Sequence, residues 1–101
     1  MTRSRSDDDI FRYDLRVSVH PHLFRSILGR EQVISEYQVQ QTRTGAEIAV
    51  CAEQPFDVES LNRKLQEALS SAGCAEPAVT VTVVESIPRL ATGKLKRFFV
   101  L

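Results

Sequence analysis

The chain is 101 residues long, and its thirteen basic and thirteen acidic side chains cancel to a formal net charge of zero. That length makes one small domain around one modest core, and the balanced charge excludes a general nucleic-acid-binding or membrane-binding field. No apolar run reaches the length needed to span a bilayer, and the two cysteines, Cys51 and Cys74, offer neither zinc spacing nor a disulfide framework.

Residues 1–6 are polar and read as a flexible leader, with Arg3 and Arg5 ahead of Asp7-Asp8-Asp9. The charged start lacks the apolar centre of a signal peptide, so a soluble cytoplasmic protein is expected, with the folded domain over residues 7–101. Residues 10–13 and 16–19 form a short hairpin with Asp14-Leu15 near its turn. His20-Pro21 then opens a helix over residues 21–28, because proline costs nothing in a first helical turn. Leu23, Phe24, Ile27 and Leu28 share one face of it, and Gly29 is a plausible stop.

Tyr37, Val39 and Gln41 alternate with Glu36, Gln38 and Gln40, the period of a half-buried strand. Thr44-Gly45 marks a turn, and Ala46, Ile48, Val50 and Ala52 continue the alternation, so residues 34–42 and 46–53 make a β-hairpin. Asp57 caps an amphipathic helix over residues 57–72, whose stripe is Val58, Leu61, Leu65, Ala68, Leu69 and Ala72. Gly73 ends that helix, and Val79, Val81 and Val83 alternate with Thr80 and Thr82 in a strand over residues 78–85. The order predicts an α+β fold: a small antiparallel sheet of about three main strands, two helices packed on one face, and an N-terminal hairpin.

Residues of catalytic type are sparse. His20 and His22 lie two apart with no third ligand, so no metal site is expected. No Ser-His-Asp or Cys-His set can be assembled. The informative stretch is Ile87-Pro88-Arg89-Leu90-Ala91-Thr92-Gly93-Lys94-Leu95-Lys96-Arg97-Phe98. It leaves a strand, bends at Thr92-Gly93, and uses the permissive backbone of Gly93 to aim Lys94 away from the domain. A P-loop is excluded, since Leu95 stands where the magnesium-binding hydroxyl must follow the lysine. Lys94, Lys96 and Arg97 form a local basic patch, which as a surface feature would discourage edge-to-edge strand pairing.

The spacing Pro-Arg-x-x-x-Gly-Lys-x-x-Arg resembles the last core motif of the adenylate-forming superfamily (acyl-CoA ligases, luciferases, peptide-synthetase adenylation domains). Arg5-Ser6-Asp7-Asp8 resembles that family's hinge sequence, with Ser4 where the family has glycine. The run from Val17 to Phe24 resembles its post-hinge segment, with Leu23 where most members carry glutamate and no glycine in the preceding hairpin turn. The resemblance covers residues 5–101 and points to the family's C-terminal domain, with the phenylacetate–CoA ligase-like branch most similar. It implies that Lys94 is the adenylation lysine, Asp7 the hinge, and Arg5 a nucleotide-binding arginine. Val19, His20 and Pro21 would border a thiol channel, and Arg89, Gly93 and Arg97 would support the lysine loop. ATP or AMP with magnesium, and coenzyme A or a carrier-protein phosphopantetheine, are implied only together with a large N-terminal adenylation domain, in cis or in trans, that binds the carboxylic acid. The phosphate loop and acyl pocket of that large domain are not found in this sequence. The alternative is a stand-alone α+β binding or regulatory module that kept the fold but not the catalysis.

Overall fold

The alternating residues pair as the sequence requires. In the computed structural model, which describes residues 10–13 and 17–100, strands β3 (Ile34–Gln41) and β4 (Gly45–Ala52) form an antiparallel hairpin with Val39 opposite Ile48 and Tyr37 opposite Val50. The turn consists of Thr42, Arg43 and Thr44; Thr42 donates its N–H to the Gly45 carbonyl at 3.0 Å. Gly45 is therefore the first residue of β4 rather than part of the bend. What it supplies is room: a Cβ there would lie 2.0 Å from the Ala78 carbonyl oxygen.

Before this hairpin come β1 (Phe11–Arg12), β2 (Ser18–Val19) and helix α1 (His22–Leu28); after it come α2 (Val58–Ser71), β5 (Ala78–Val83) and β6 (Phe98–Phe99). β1 and β2 are the expected N-terminal hairpin, with Phe11 opposite Val19. The other four strands form one sheet in the order β5-β4-β3-β6.

The α+β class, the N-terminal hairpin and both helices agree with the sequence reading, whereas the strand directions of the expected antiparallel sheet do not. β5 runs parallel to β4, and β6 runs parallel to β3, so the sheet is mixed and four-stranded. The cause is the connection: α2 carries the chain back along the sheet between β4 and β5, and a helical crossover returns a strand in the direction of its predecessor. The chain then crosses the end of the sheet from the β5 edge to the β3 edge, where β6 closes it.

One face of the sheet carries the core. Val39, Ala46, Ile48, Val50, Val79 and Phe98 are buried against Phe24 and Leu28 of α1 and Leu61, Leu65 and Leu69 of α2. Each fully buried Leu or Phe side chain contributes roughly 1.5–3 kcal/mol by leaving water. Phe11, Phe24, Phe98 and Tyr37 form an aromatic cluster, with Phe11–Phe24 centroids at 5.1 Å and Phe11–Phe98 at 6.3 Å. The cluster ties the first hairpin, α1, β3 and β6 together.

Helix ends follow the sequence, with one difference. Asp57 Oδ1 accepts from the Ser60 N–H at 3.0 Å, the expected N-cap. At the other end of α2, Gly73 (φ +115°) donates to the Ser70 carbonyl and Cys74 to that of Leu69, which satisfies the last orphan carbonyls. Gly29 stops α1 without turning left-handed; its φ is −70°. Pro21 is the N-cap of α1, and His20 Nδ1 accepts the His22 N–H at 3.1 Å, a side-chain bond to the first residue of the helix. No helix is long and apolar enough to cross a membrane among the described residues.

Candidate functional site

The lysine loop, residues 84–97, spans the end of the sheet where β3 begins and β4 and β5 finish. Its first limb is anchored by the Val84 N–H, which bonds the Val50 carbonyl at 2.8 Å, and by Ile87, which is buried. The bend closes through two backbone bonds: Gly93 N–H to Leu90 carbonyl at 2.8 Å, and Leu90 N–H to Lys94 carbonyl at 3.0 Å. That is a three-residue hairpin loop of Ala91, Thr92 and Gly93, whose last position takes a left-handed backbone. Gly93 has φ +86°, with no atom within 4 Å of where a Cβ would lie. The glycine is required there by conformation, not by crowding.

The cations of this segment differ in what they touch. Arg89 pairs with the Glu36 carboxylate at the start of β3. Arg97 lies over the Tyr37 ring at 5.8 Å and Lys96 over the Phe99 ring at 5.0 Å. Such cation–π contacts hold a side chain near its own domain. Lys94 is exposed, and its ammonium has no hydrogen-bond or ion-pair partner among the described residues. Its placement at the exit of the bend leaves it the cation free to meet a ligand from outside.

The second limb is held by β3. Gln38 Nε2 donates to the Lys96 carbonyl at 3.2 Å, and the Val39 N–H donates to the Arg97 carbonyl at 2.6 Å. Glu36 and Gln38 belong to the site although sequence reasoning assigned them only to the polar side of a strand. Alternation reveals which face they occupy, but no sequence signal says that the loop docks there.

The remaining expected site residues are distributed as follows. Val19 and Pro21 are buried in the core, while the His20 side chain is exposed beside them. Of that trio, His20 is the one with a side chain to offer a ligand. Arg5 and Asp7 lie outside the described residues. Among the described residues no group of three His, Cys, Asp or Glu side chains could hold a metal ion.

At the opposite end of the sheet the first hairpin is fastened by two side chains. Gln41, buried, donates Nε2 to the Arg12 carbonyl at 2.8 Å, and the Tyr13 hydroxyl donates to the Gly45 carbonyl at 2.8 Å. Burial pushes the Tyr13 phenol well above its ordinary pKa of 10.0, with the neighbouring Cys74 thiol adding to the shift. The lysine loop and this hairpin thus occupy the two ends of one sheet.

This architecture recurs in solved structures of a coenzyme A synthetase and a CoA ligase. The O-succinylbenzoate coenzyme A synthetase of Bacillus subtilis, solved with ATP and magnesium, superposes with a TM-score of 0.60 at 21% identity, over 90% of this chain and 19% of the synthetase. The same enzyme with AMP gives 0.54 at 17% identity, over 89% and 18% of the two chains. An open conformation of 2-hydroxyisobutyryl-CoA ligase, bound to 2-HIB-AMP and CoA, gives 0.56 at 17% identity, over 93% and 21%. The chain therefore shares its fold with a part of these coenzyme A synthetase and ligase structures, and spans about a fifth of the length of those solved chains. No protein-family model matches the sequence, and no curated protein is significantly similar to it.

Proposed function

We propose that this chain is the mobile C-terminal domain of an ATP-dependent carboxylate-activating ligase, and that Lys94 is its adenylation lysine. The observation that carries this reading is the state of Lys94: an unpartnered ammonium at the tip of a loop whose other cations are engaged by their own domain. The shared fold with acyl-CoA ligases supports it. The valine-rich strand, the Val-x-Pro start of α1 and the lysine motif support the phenylacetate–CoA ligase-like branch in particular.

The residues here fit part of the chemistry. A fixed cation aimed at an oxygen that gains charge lowers the barrier where the charge develops, and Lys94 can take that role when a carboxylate attacks the α-phosphate. ATP with magnesium would supply the leaving group, and coenzyme A or a carrier-protein phosphopantetheine the accepting thiol. A single exposed lysine cannot hold ATP and an acid together. The phosphate loop and acyl pocket therefore belong to a large N-terminal domain, whether joined to this one or separate. The lysine loop and the fastening of the N-terminal hairpin to Gln41 and Gly45 lie at opposite ends of the sheet, which supports a reading in which two poses present different parts of the domain. A swivel about Asp7 would exchange them, bringing the region of Val19, His20 and Pro21 to the thiol path, with Arg5 beside the nucleotide.

ATP–pyrophosphate exchange, measured with and without an added large domain, tests the reading. The chain alone is expected to give none. In the complete enzyme Lys94→Ala should slow adenylation ~10²–10³-fold, leave thioester formation from a supplied acyl-adenylate nearly intact, and exceed the effect of Lys96→Ala. Equal slowing of both half-reactions, or of neither, would leave the domain as a binding module that has kept only the fold.

A further inference from the structure

The outer face of β3 is doing something that strand alternation does not require. Glu36 and Gln38 project from the side of the sheet away from the helices, and each reaches a different limb of the lysine loop. Glu36 binds the Arg89 guanidinium on the limb that approaches the bend. Gln38 holds the Lys96 carbonyl on the limb that leaves it. Between these two attachments lies the bend that carries Lys94, itself closed by the Leu90–Gly93 and Leu90–Lys94 backbone bonds.

We infer that Glu36 and Gln38 are positioning residues: they clamp the two limbs of the loop against β3 and so fix the direction in which Lys94 projects. The clamp itself is a property of this chain alone; its catalytic consequence rests on the function proposed above. Stability is not its purpose. The Arg89 and Glu36 side chains are 44% and 30% exposed, and ion pairs that open to solvent contribute little to folding. Their worth is geometric. Arg89 presents a planar fork to a carboxylate, which fixes orientation as well as distance. Two attachments on opposite limbs also remove the rocking that either alone would allow. A catalytic cation must sit within a fraction of an ångström of its target, and small misplacements cost as much as ~10²-fold in rate.

The test begins with the free chain. Backbone order parameters of Gly93 and Lys94 should stand near the rigid value of ~0.85 in the wild type and fall toward ~0.6 in Glu36→Gln and Gln38→Ala. The melting temperature should hardly move. The double exchange Glu36→Arg with Arg89→Glu should restore the order that Glu36→Gln loses, which a merely structural role for Glu36 would not. Added to the large domain, Glu36→Gln should slow adenylation ~10-fold and spare thioester formation, with recovery in the exchanged pair. A loop as mobile in the wild type as in Glu36→Gln, or one that stays rigid in both single variants, overturns the inference. If the loop loosens as expected but Lys94→Ala leaves adenylation unchanged, the clamp stands and the catalytic reading falls. If Lys94→Ala acts selectively while Glu36→Gln loosens nothing, the catalytic reading stands and the clamp falls.

Discussion

Replacing Gly45 by alanine is expected to be among the most damaging single-methyl additions this domain can receive. A Cβ at that position would lie 2.0 Å from the Ala78 carbonyl oxygen, 2.7 Å from its carbon and 2.8 Å from its nitrogen. All three atoms are backbone, so no side chain can rotate aside. A carbon–oxygen contact settles near 3.3 Å or beyond, so β5 must retreat from β4 by roughly 1 Å at its first residue. That movement strains the Ala78 N–H bond to the Thr44 carbonyl and the Tyr13 hydroxyl bond to Gly45. Overpacking of this kind costs about 1–3 kcal/mol, and each weakened hydrogen bond adds about 0.5–1.5 kcal/mol. The total, about 2–6 kcal/mol, corresponds to a fall in melting temperature of at least ~8 °C for a domain of this size. Urea unfolding followed by circular dichroism measures it directly. A loss below ~0.5 kcal/mol with an unchanged m value would refute the reasoning, because it would mean that the two strands are not held this close in solution.

Gly93→Ala makes the contrasting case: with no atom within 4 Å the cost is that of the positive φ alone, about 1–2 kcal/mol, and the same urea titration should separate it from Gly45→Ala. Leu65→Ala removes a fully buried side chain on the inner stripe of α2 and should cost ~2–5 kcal/mol in equilibrium unfolding. Asp57→Ala deletes the cap on Ser60 and should cost about 1 kcal/mol, read as lower helix content at intermediate urea. Tyr13 gives a pH signature. Its phenol keeps the proton in the fold above the pKa of 10.0 at which the unfolded chain releases it. Its contribution is therefore complete below about pH 10 and is lost as the pH rises further. Tyr13→Phe should be less stable at neutral pH and lose less on alkaline titration, as followed by melting temperature against pH.

Local features were legible in the residues because local rules govern them. The β3–β4 hairpin, the Asp57 cap, the Leu61–Leu65–Leu69 stripe and the Gly73 stop all follow from periodicity and backbone chemistry over a few positions. Strand direction was harder, since alternation fixes which side chains share a face and says nothing about which way a neighbour runs. A usable signal did exist: α2 stands between β4 and β5, and a helix between two adjacent strands argues for parallel pairing. The short β6 carried no such cue. Its pairing with β3 depends on a loop that crosses the whole sheet. At the candidate site, Lys94 and Gly93 were readable from their spacing, and Gly93 takes the left-handed backbone that its place in the bend called for. Glu36 and Gln38 were not readable, because their partners lie more than fifty positions away.

The contact of Phe11 with Phe98 has a consequence for how such a body can be attached to another. Those rings belong to the first and last strands, so both ends of the described chain emerge beside the same aromatic cluster. An object whose two ends leave side by side has, mechanically, one point of suspension. It can be hung from either end, or spliced into a longer chain through both, with a single place of attachment in either case.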